Sequence, residues 1–523
     1  MRTADTLKTG HRIGSGSVKV TYKTFIIASL VYLMIPVIIF FLGYLKLFPG
    51  IAFTLLTILA AVWTIRGMHT GNDGTIKNDG RYSIEISYPR LAGMILMTVA
   101  FIYLGGIGEF GWGTTDHFMR YAILNDLVEY DWPVIYDFST QSNPAVASAL
   151  GEGQAAFSYY FVYWMVPAVA GKIAGLTFAR VVLFIWSAAG LFLVATGAMM
   201  LYGKASRSLF AGLMLFAGFD VFPYALKLAS GQWATWEKWA DEIIVCGNFY
   251  QIMNVFNQCI PGWLITVMLL MGMSGRSVGL LGSFMFCYSP WAAIGILPMC
   301  ICKIITPCPS RWWRNLLTPG NLIAPVVFFV CFAPFYTANA AATGEAGFIW
   351  EFYPSPLTLI KDYILYVIVE FGIWTLMIRR KVGKDPMFWT AFITLLVIPV
   401  YKITTANDFL MRGSMAPLFM ISLYAVMFVT DNFEICRQKD NRQIRPRLVV
   451  LALVIAAYTS VNFMLLAGLS SAQMHILGDY EYDTSRDVGS FGNIVKEEHL
   501  PVIKTQFYVY DYEDTLFFRY LAK

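Results

Sequence analysis

The sequence predicts an all-α polytopic membrane protein of about 11–13 transmembrane helices, since a spanning helix needs about 20 mainly apolar residues. Three observations carry this prediction. Of the 523 residues, 57% are hydrophobic and only 14% charged, against about 25% charged in a soluble domain. The mean hydropathy is +0.59. The basic residues gather in short runs between apolar segments, as membrane topology demands. A net charge of +5 arranged in this way is no nucleic-acid signal.

Taken in order, apolar runs fall near 25–44, 49–65, 91–107, 178–201, 208–226, 259–274, 279–289, 291–305, 322–338, 357–378, 387–402, 413–430 and 448–468. The stretch 279–305 reads as one long helix or as a hairpin breaking at Ser289-Pro290. Charge decides between them. Residues 1–24 carry Arg2, Lys8, Arg12, Lys19 and Lys23 against Asp5, so this tail is expected in the cytoplasm. Alternation then puts Lys204 and Arg207, Arg379 to Lys384, and Arg437 to Arg447 on the same side, provided 279–305 returns. That favours a hairpin with Ser289-Pro290-Trp291 at its outer tip. No signal peptide is expected, because a polar stretch precedes the first apolar run and no small-residue cleavage pattern follows it.

The bundle over 25–468 is thus expected in the inner (plasma) membrane, with large outer loops at 108–177 and 227–258. A small extracytoplasmic appendage is expected over 469–523. The first loop is acidic, with Glu109, Asp116, Asp126, Glu129 and Asp131 among others against Arg120. Its aromatic, Pro167-broken segment 156–176 reads as an interfacial helix or re-entrant pair at the outer leaflet, the depth Tyr and Trp prefer. Cys300, Cys302 and Cys308 cluster without a nearby His or acid and read as small core thiols, so no metal site is expected there.

Three constellations could carry chemistry. Asp116-His117 lies just beyond the third helix, where a carboxylate can take a proton from a hydroxyl while within reach of a lipid. The bland alternative is a helix cap. Trp236 to Glu242, with Glu237 and Asp241, precedes Asn257 and Gln258. Carboxylates and amides among Trp rings are what a sugar site uses, and an interfacial belt is the alternative. Asp408 and Arg412 lie at the outer mouth of an apolar helix, where Arg can hold phosphate or simply pair with Asp408. No Walker A loop, Rossmann fingerprint, HExxH or nucleophile elbow is present.

These places carry a resemblance. Asp116-His117, the segment Tyr159 to Gly171 before Arg180, Asn257-Gln258 with Pro261-Gly262-Trp263, Ser289-Pro290, and Asn407-Asp408 with Arg412 together resemble the GT-C superfamily of integral-membrane glycosyltransferases, over roughly 90–470. The likeness is to bacterial members acting in the cell envelope. It implies a donor sugar on a polyprenyl phosphate and a glycan, lipid or protein acceptor outside the cytoplasm. It implies Asp116, with His117 beside it, as catalytic base. It also implies Arg412, with Asp408, at the donor phosphate. The sugar-contacting residues would be Glu237, Asp241, Asn257 and Gln258. No cofactor follows from the likeness with certainty. A divalent cation stays open, although the loop lacks a second adjacent Asp of the DxD kind. The rival expectations are a lipid or sugar transporter or flippase, which needs polar groups at mid-membrane such as Asp220 and Glu370, and an envelope scaffold.

Overall fold

The computed structural model describes residues 16–523 apart from 69–80, 152, 233, 340–344, 405–406, 439–442, 478–487 and 495. Arg2, Asp5, Lys8 and Arg12 of the basic tail and Arg442 of the last basic loop lie outside the described residues.

Six helices are each long and apolar enough to cross a membrane among the described residues: Tyr22–Tyr44, Leu47–Gly67, Leu176–Tyr202, Asn248–Leu270, Pro319–Thr337 and Met415–Cys436. The pair Ile444–Ala456 and Tyr458–Ile476, bent by 47°, adds one broken span. Shorter apolar helices at Tyr88–Leu104, Val278–Tyr288, Pro290–Ile305 and Pro386–Val400 complete the bundle. So does the run from Pro356–Tyr366 through the π-helical turn Val367–Gly372 to Ile373–Val382. Helices apolar on every face bury one side and leave the other for lipid. Leu47–Gly67 does this, burying Thr57 and Ala60 while Leu55 and Leu59 stay exposed.

The hairpin expected within 279–305 is present. Ser289 caps the second helix through its hydroxyl on Ala292 N, and Pro290 occupies the first turn, where its missing N–H costs nothing. The two helices return to one end: a Cβ at Gly275 would stand 2.4 Å from the Lys303 carbonyl oxygen.

Three expectations need correction. The run 208–226 is not one span. It is a helix Arg207–Leu215, a non-helical stretch, and an amphipathic helix Val221–Ala229 with Phe222, Leu226 and Leu228 exposed. Pro223 cannot donate to a continuing helix, and the freed backbone bonds elsewhere, Phe219 N to Val369 O and Asn248 N to Phe216 O. The loop 227–258 is shorter than expected, because the next helix starts at Asn248 rather than near 259. Its polar first turns are buried and tied, as where Asn248 Nδ2 donates to Leu213 O at 2.8 Å and Ser422 Oγ at 3.2 Å. The tail does not stand apart as an appendage. Its strand Tyr508–Val509 pairs with Gln154–Phe157, which pairs in turn with Ile135–Asp137. Its last residues bond back to the first helix, Lys523 N to Tyr44 O.

Within the segment 156–176, Val162–Trp164 sits inside the bundle, and Met165–Ala174 runs from it back to the acidic end, where the chain turns at Gly175 (φ +87) into the antiparallel helix Leu176–Tyr202. Tyr163 OH donates to Ser187 Oγ at 2.9 Å, and Tyr32 OH donates to Tyr163. Val162, Tyr163, Trp164 and Met165 are all buried.

The bundle has two chemically distinct ends. One carries Lys204 paired with Glu434, Lys381 with Asp431 at 2.6 Å, and Arg276 over the Trp63 ring. Trp312 and Trp313 are exposed there. The other carries the acidic loop, the small sheet and the tail, with Phe348, Trp350 and Tyr401 exposed. Two aromatic rims of this kind mark the two interfaces of a bilayer.

Candidate functional site

At the acidic end, the helix Thr115–Glu129 begins after the glycine-rich turn 111–113, and Thr114 Oγ1 donates to Asn254 Oδ1 at 2.8 Å. Asp116 falls in its first turn, where the helix dipole favours an anion. One turn on, Arg120 donates to Asp116 at 3.2 Å. The Asp116 side chain is 53% exposed and that of Arg120 only 8%. His117 has different surroundings. It is fully buried, its Nε2 meets the Met253 carbonyl, and burial lowers its pKa to about 4. It is therefore neutral near pH 7 and ties the outer helix to Asn248–Leu270 instead of meeting solvent beside Asp116.

Arg412 arrives from another part of the chain. Asn407, in the left-handed region (φ 52), caps the short helix Asp408–Gly413 with its side chain on Leu410 N and donates to Glu242 O at 2.7 Å. This aims Asp408 and Arg412 along one face, where they form a partly buried ion pair. Burial opposes the guanidinium's charge, and Asp408 beside it more than offsets that, so its pKa is raised. Tyr160, Tyr159 and Asp116 act on the same guanidinium. Arg120 and Arg412 both act on Tyr159. Asp116, Arg120, Tyr159, Asp408 and Arg412 are thus one electrostatic neighbourhood. Sequence reading missed Arg120 except as a charge; its i,i+4 spacing from Asp116 was the available signal.

Tyr159 and Asp408 of this neighbourhood line a groove of about 1020 Å³; Asp116, Arg120 and Arg412 are not among its lining residues. Helices Val278–Tyr288, Pro290–Ile305 and Pro319–Thr337 wall it with Phe286, Ile294, Leu297, Ile301 and Phe328. Tyr159, Tyr160, Thr404 and Asp408 stand at the acidic end, and Ile304, Leu316 and Asn321 at the other. The 16-residue helix Pro290–Ile305 is about 24 Å long, most of a bilayer's hydrocarbon thickness. Nothing stands within 4 Å of a Cβ at Gly282, which keeps one wall open.

The remaining predicted residues lie elsewhere. None of Glu237, Asp241, Asn257 and Gln258 lines the groove. Asp241 is exposed and pairs with Lys227 at 3.2 Å. Asn257 and Gln258 are buried inside their helix, with both polar atoms of each amide unpartnered. Glu237 is buried and accepts from Gly247 N at 3.1 Å, and burial raises its carboxyl well above the usual range. It joins Asp220 and Glu370 in a buried acidic trio. Asp220 accepts from Trp239 Nε1 at 2.8 Å and is hydrogen-bonded to Glu370. Among the described residues no three His, Cys, Asp or Glu side chains are grouped so as to hold a metal ion.

Fold and site together define an all-α polytopic membrane protein with an apolar groove lined at one end by Asp408, the partner of Arg412. No family model, curated protein or solved structure matches the chain.

Proposed function

We propose that this chain is a membrane glycosyltransferase that moves a sugar from a polyprenyl-phosphate donor to an extracytoplasmic glycan, lipid or protein. The observation that carries this reading is the groove itself: an apolar groove running along the helix Pro290–Ile305 and lined at its acidic end by Asp408, which pairs with Arg412 in the electrostatic neighbourhood of Asp116. A prenyl chain matches the apolar walls, and its phosphate would meet the Arg412 guanidinium. The acidic end would face away from the cytoplasm, because Lys204, Arg207 and Arg379 to Lys384 gather at the other.

In this reading an acceptor hydroxyl attacks the anomeric carbon as the bond from that carbon to the phosphate oxygen breaks. The hydroxyl proton passes to Asp116, which is exposed enough to receive it. Arg412 stabilises the leaving phosphate by charge and hydrogen bonds. Arg120 holds the Asp116 carboxylate in place. The test is transfer of radiolabelled sugar from a polyprenyl-linked donor in detergent. Transfer by wild type and none by Asp116→Asn at equal expression supports the reading; near wild-type transfer by that variant removes Asp116 from it.

One observation favours a second reading, a lipid or sugar transporter or flippase. Asp220 and Glu370 meet deep in the bundle, where a broken helix touches a π-helical turn. Buried ionisable groups at interrupted helices mark substrate and proton paths in transporters. Uptake into vesicles without sugar transfer would select this reading.

A further inference from the structure

Asn339 follows the helix Pro319–Thr337 and lines the groove. It is 7% exposed, yet neither its Nδ2 nor its Oδ1 has a partner among the described residues. No other lining side chain has buried polar atoms left over in this way among the described residues. Ser158 Oγ donates to Phe335 O at 2.7 Å, Ser283 Oγ to Gly279 O at 2.7 Å, Tyr336 OH to Cys287 O at 2.6 Å and Thr337 Oγ1 to Ala333 O at 2.8 Å. Asn321 donates to Gly275 O and Asn315 O, both at 2.8 Å. The fold has satisfied its own polar groups along the groove and left one amide open.

An amide buried without partners costs stability, and one that also faces a groove is open to a partner supplied by whatever fills that groove. Its two halves ask for opposite partners: Oδ1 needs a donor and Nδ2 an acceptor. A fully ionised phosphate supplies acceptors alone, and a prenyl chain supplies neither. A hydroxyl supplies both at once. Asp408, another acceptor lining the same groove, is already met by Arg412. The unmet demand is therefore for a neutral, hydroxylated group, and it lies at Asn339.

We infer that Asn339 is a specificity-determining residue that hydrogen-bonds a sugar hydroxyl of the lipid-linked donor, distinguishing the glycosylated lipid from the bare prenyl phosphate. This rests on the groove being the prenyl-lipid site. It moves sugar recognition away from the Trp236 to Gln258 region, where sequence spacing had suggested it.

The test uses the full chain in detergent and native mass spectrometry, with polyprenyl phosphate and its hexosyl and pentosyl derivatives as probes. Wild type should prefer at least one glycosylated form. In Asn339→Leu and in the smaller Asn339→Ala, that preference should fall by about three- to tenfold, the worth of one hydrogen bond. Binding of the bare lipid should stay unchanged, and thermal stability without lipid should be equal or higher, since no partner among the described residues is lost. Full retention of the preference in both variants, or equal weakening of bare and glycosylated lipids, overturns the inference while leaving the groove reading intact. Absence of binding by wild type to every probe overturns the groove reading, and this inference with it.

Discussion

Two sets of buried or half-buried carboxylates in this protein are handled in opposite ways. At the acidic end of the bundle two acids each have their own cation, Asp116 with Arg120 and Asp408 with Arg412. Deeper in the bundle Asp220, Glu237 and Glu370 share their surroundings with Trp239 and Gly247, and none has a salt bridge among the described residues. Two carboxyls that hydrogen-bond to each other need a proton between them, because like charges in contact cannot both ionise. The difference separates charge that is kept from charge that is suppressed. The paired acids keep their charge beside a cation, while the trio acts as a proton-sharing, hydrogen-bonded joint between the break after Leu215 and the turn Val367–Gly372.

Substitutions can break or sharpen that contrast. The largest effect is expected at the exposed acid: Asp116→Asn should lower sugar transfer by about 10²–10⁴-fold, the span of general-base contributions, read in the detergent transfer assay. Next comes Arg412→Ala. It strands Asp408, which is only partly buried, so the cost should fall below the about 3–5 kcal/mol of breaking a fully buried pair, visible as a lower melting temperature; loss of transfer without loss of stability would instead point to a purely ligand-binding arginine. Glu370→Gln should cost less than about 1 kcal/mol, because it replaces a proton-sharing carboxyl by a neutral isostere of similar size. A loss as large as that of Arg412→Ala would show that Glu370 is ionised and end the comparison. Smallest of all, Lys204→Ala at the basic end removes a half-exposed pair with Glu434 and should change stability by less than about 1 kcal/mol.

A separate acid supplies a pH prediction. Asp126 is fully buried, accepts from Tyr136 OH at 2.7 Å and Phe491 N at 2.9 Å, and burial raises its pKa to about 7. The unfolded carboxyl titrates near about 4. Between these values the folded protein holds a proton that the unfolded chain has released. Stability from this group therefore falls as pH rises from about 4 to about 7 and then levels off. Melting temperatures at pH 5 and pH 8 should differ in wild type, and Asp126→Asn should remove that part of the difference. Because Phe491 belongs to the tail, the same substitution tests how firmly 488–523 is held on the helix that presents Asp116.

Much of the fold was legible from local sequence. Apolar runs of spanning length located most crossings, Ser289-Pro290 marked the possible break within 279–305, and the placement of the basic loops favoured the hairpin there. The failures share one cause. At 208–226 and 248–258 the backbone and polar side chains bond to distant segments, Phe219 to Val369 and Asn248 to Leu213. Composition averaged over a window carries no record of such partners. The candidate site divided in the same way. Asp116 was singled out as an acid beside a His just past an apolar helix, and Asp408 and Arg412 because ionisable residues at membrane depth are costly and rare. Asn339 and the partnership of Arg120 were not, since an amide or an arginine in a loop is unremarkable until its neighbours are known.

By itself, then, the amino-acid order determined that this chain crosses a membrane many times, and that its basic and acidic loops segregate, because hydrocarbon tolerates only long apolar helices and topology sorts charge. Tertiary structure alone decided which polar groups would be spent on one another and which left open at the groove. That outcome depends on contacts between residues hundreds of positions apart, such as Asn125 with Gly489 and Ser158 with Phe335, and hydrogen bonds are satisfied in space, not along the chain.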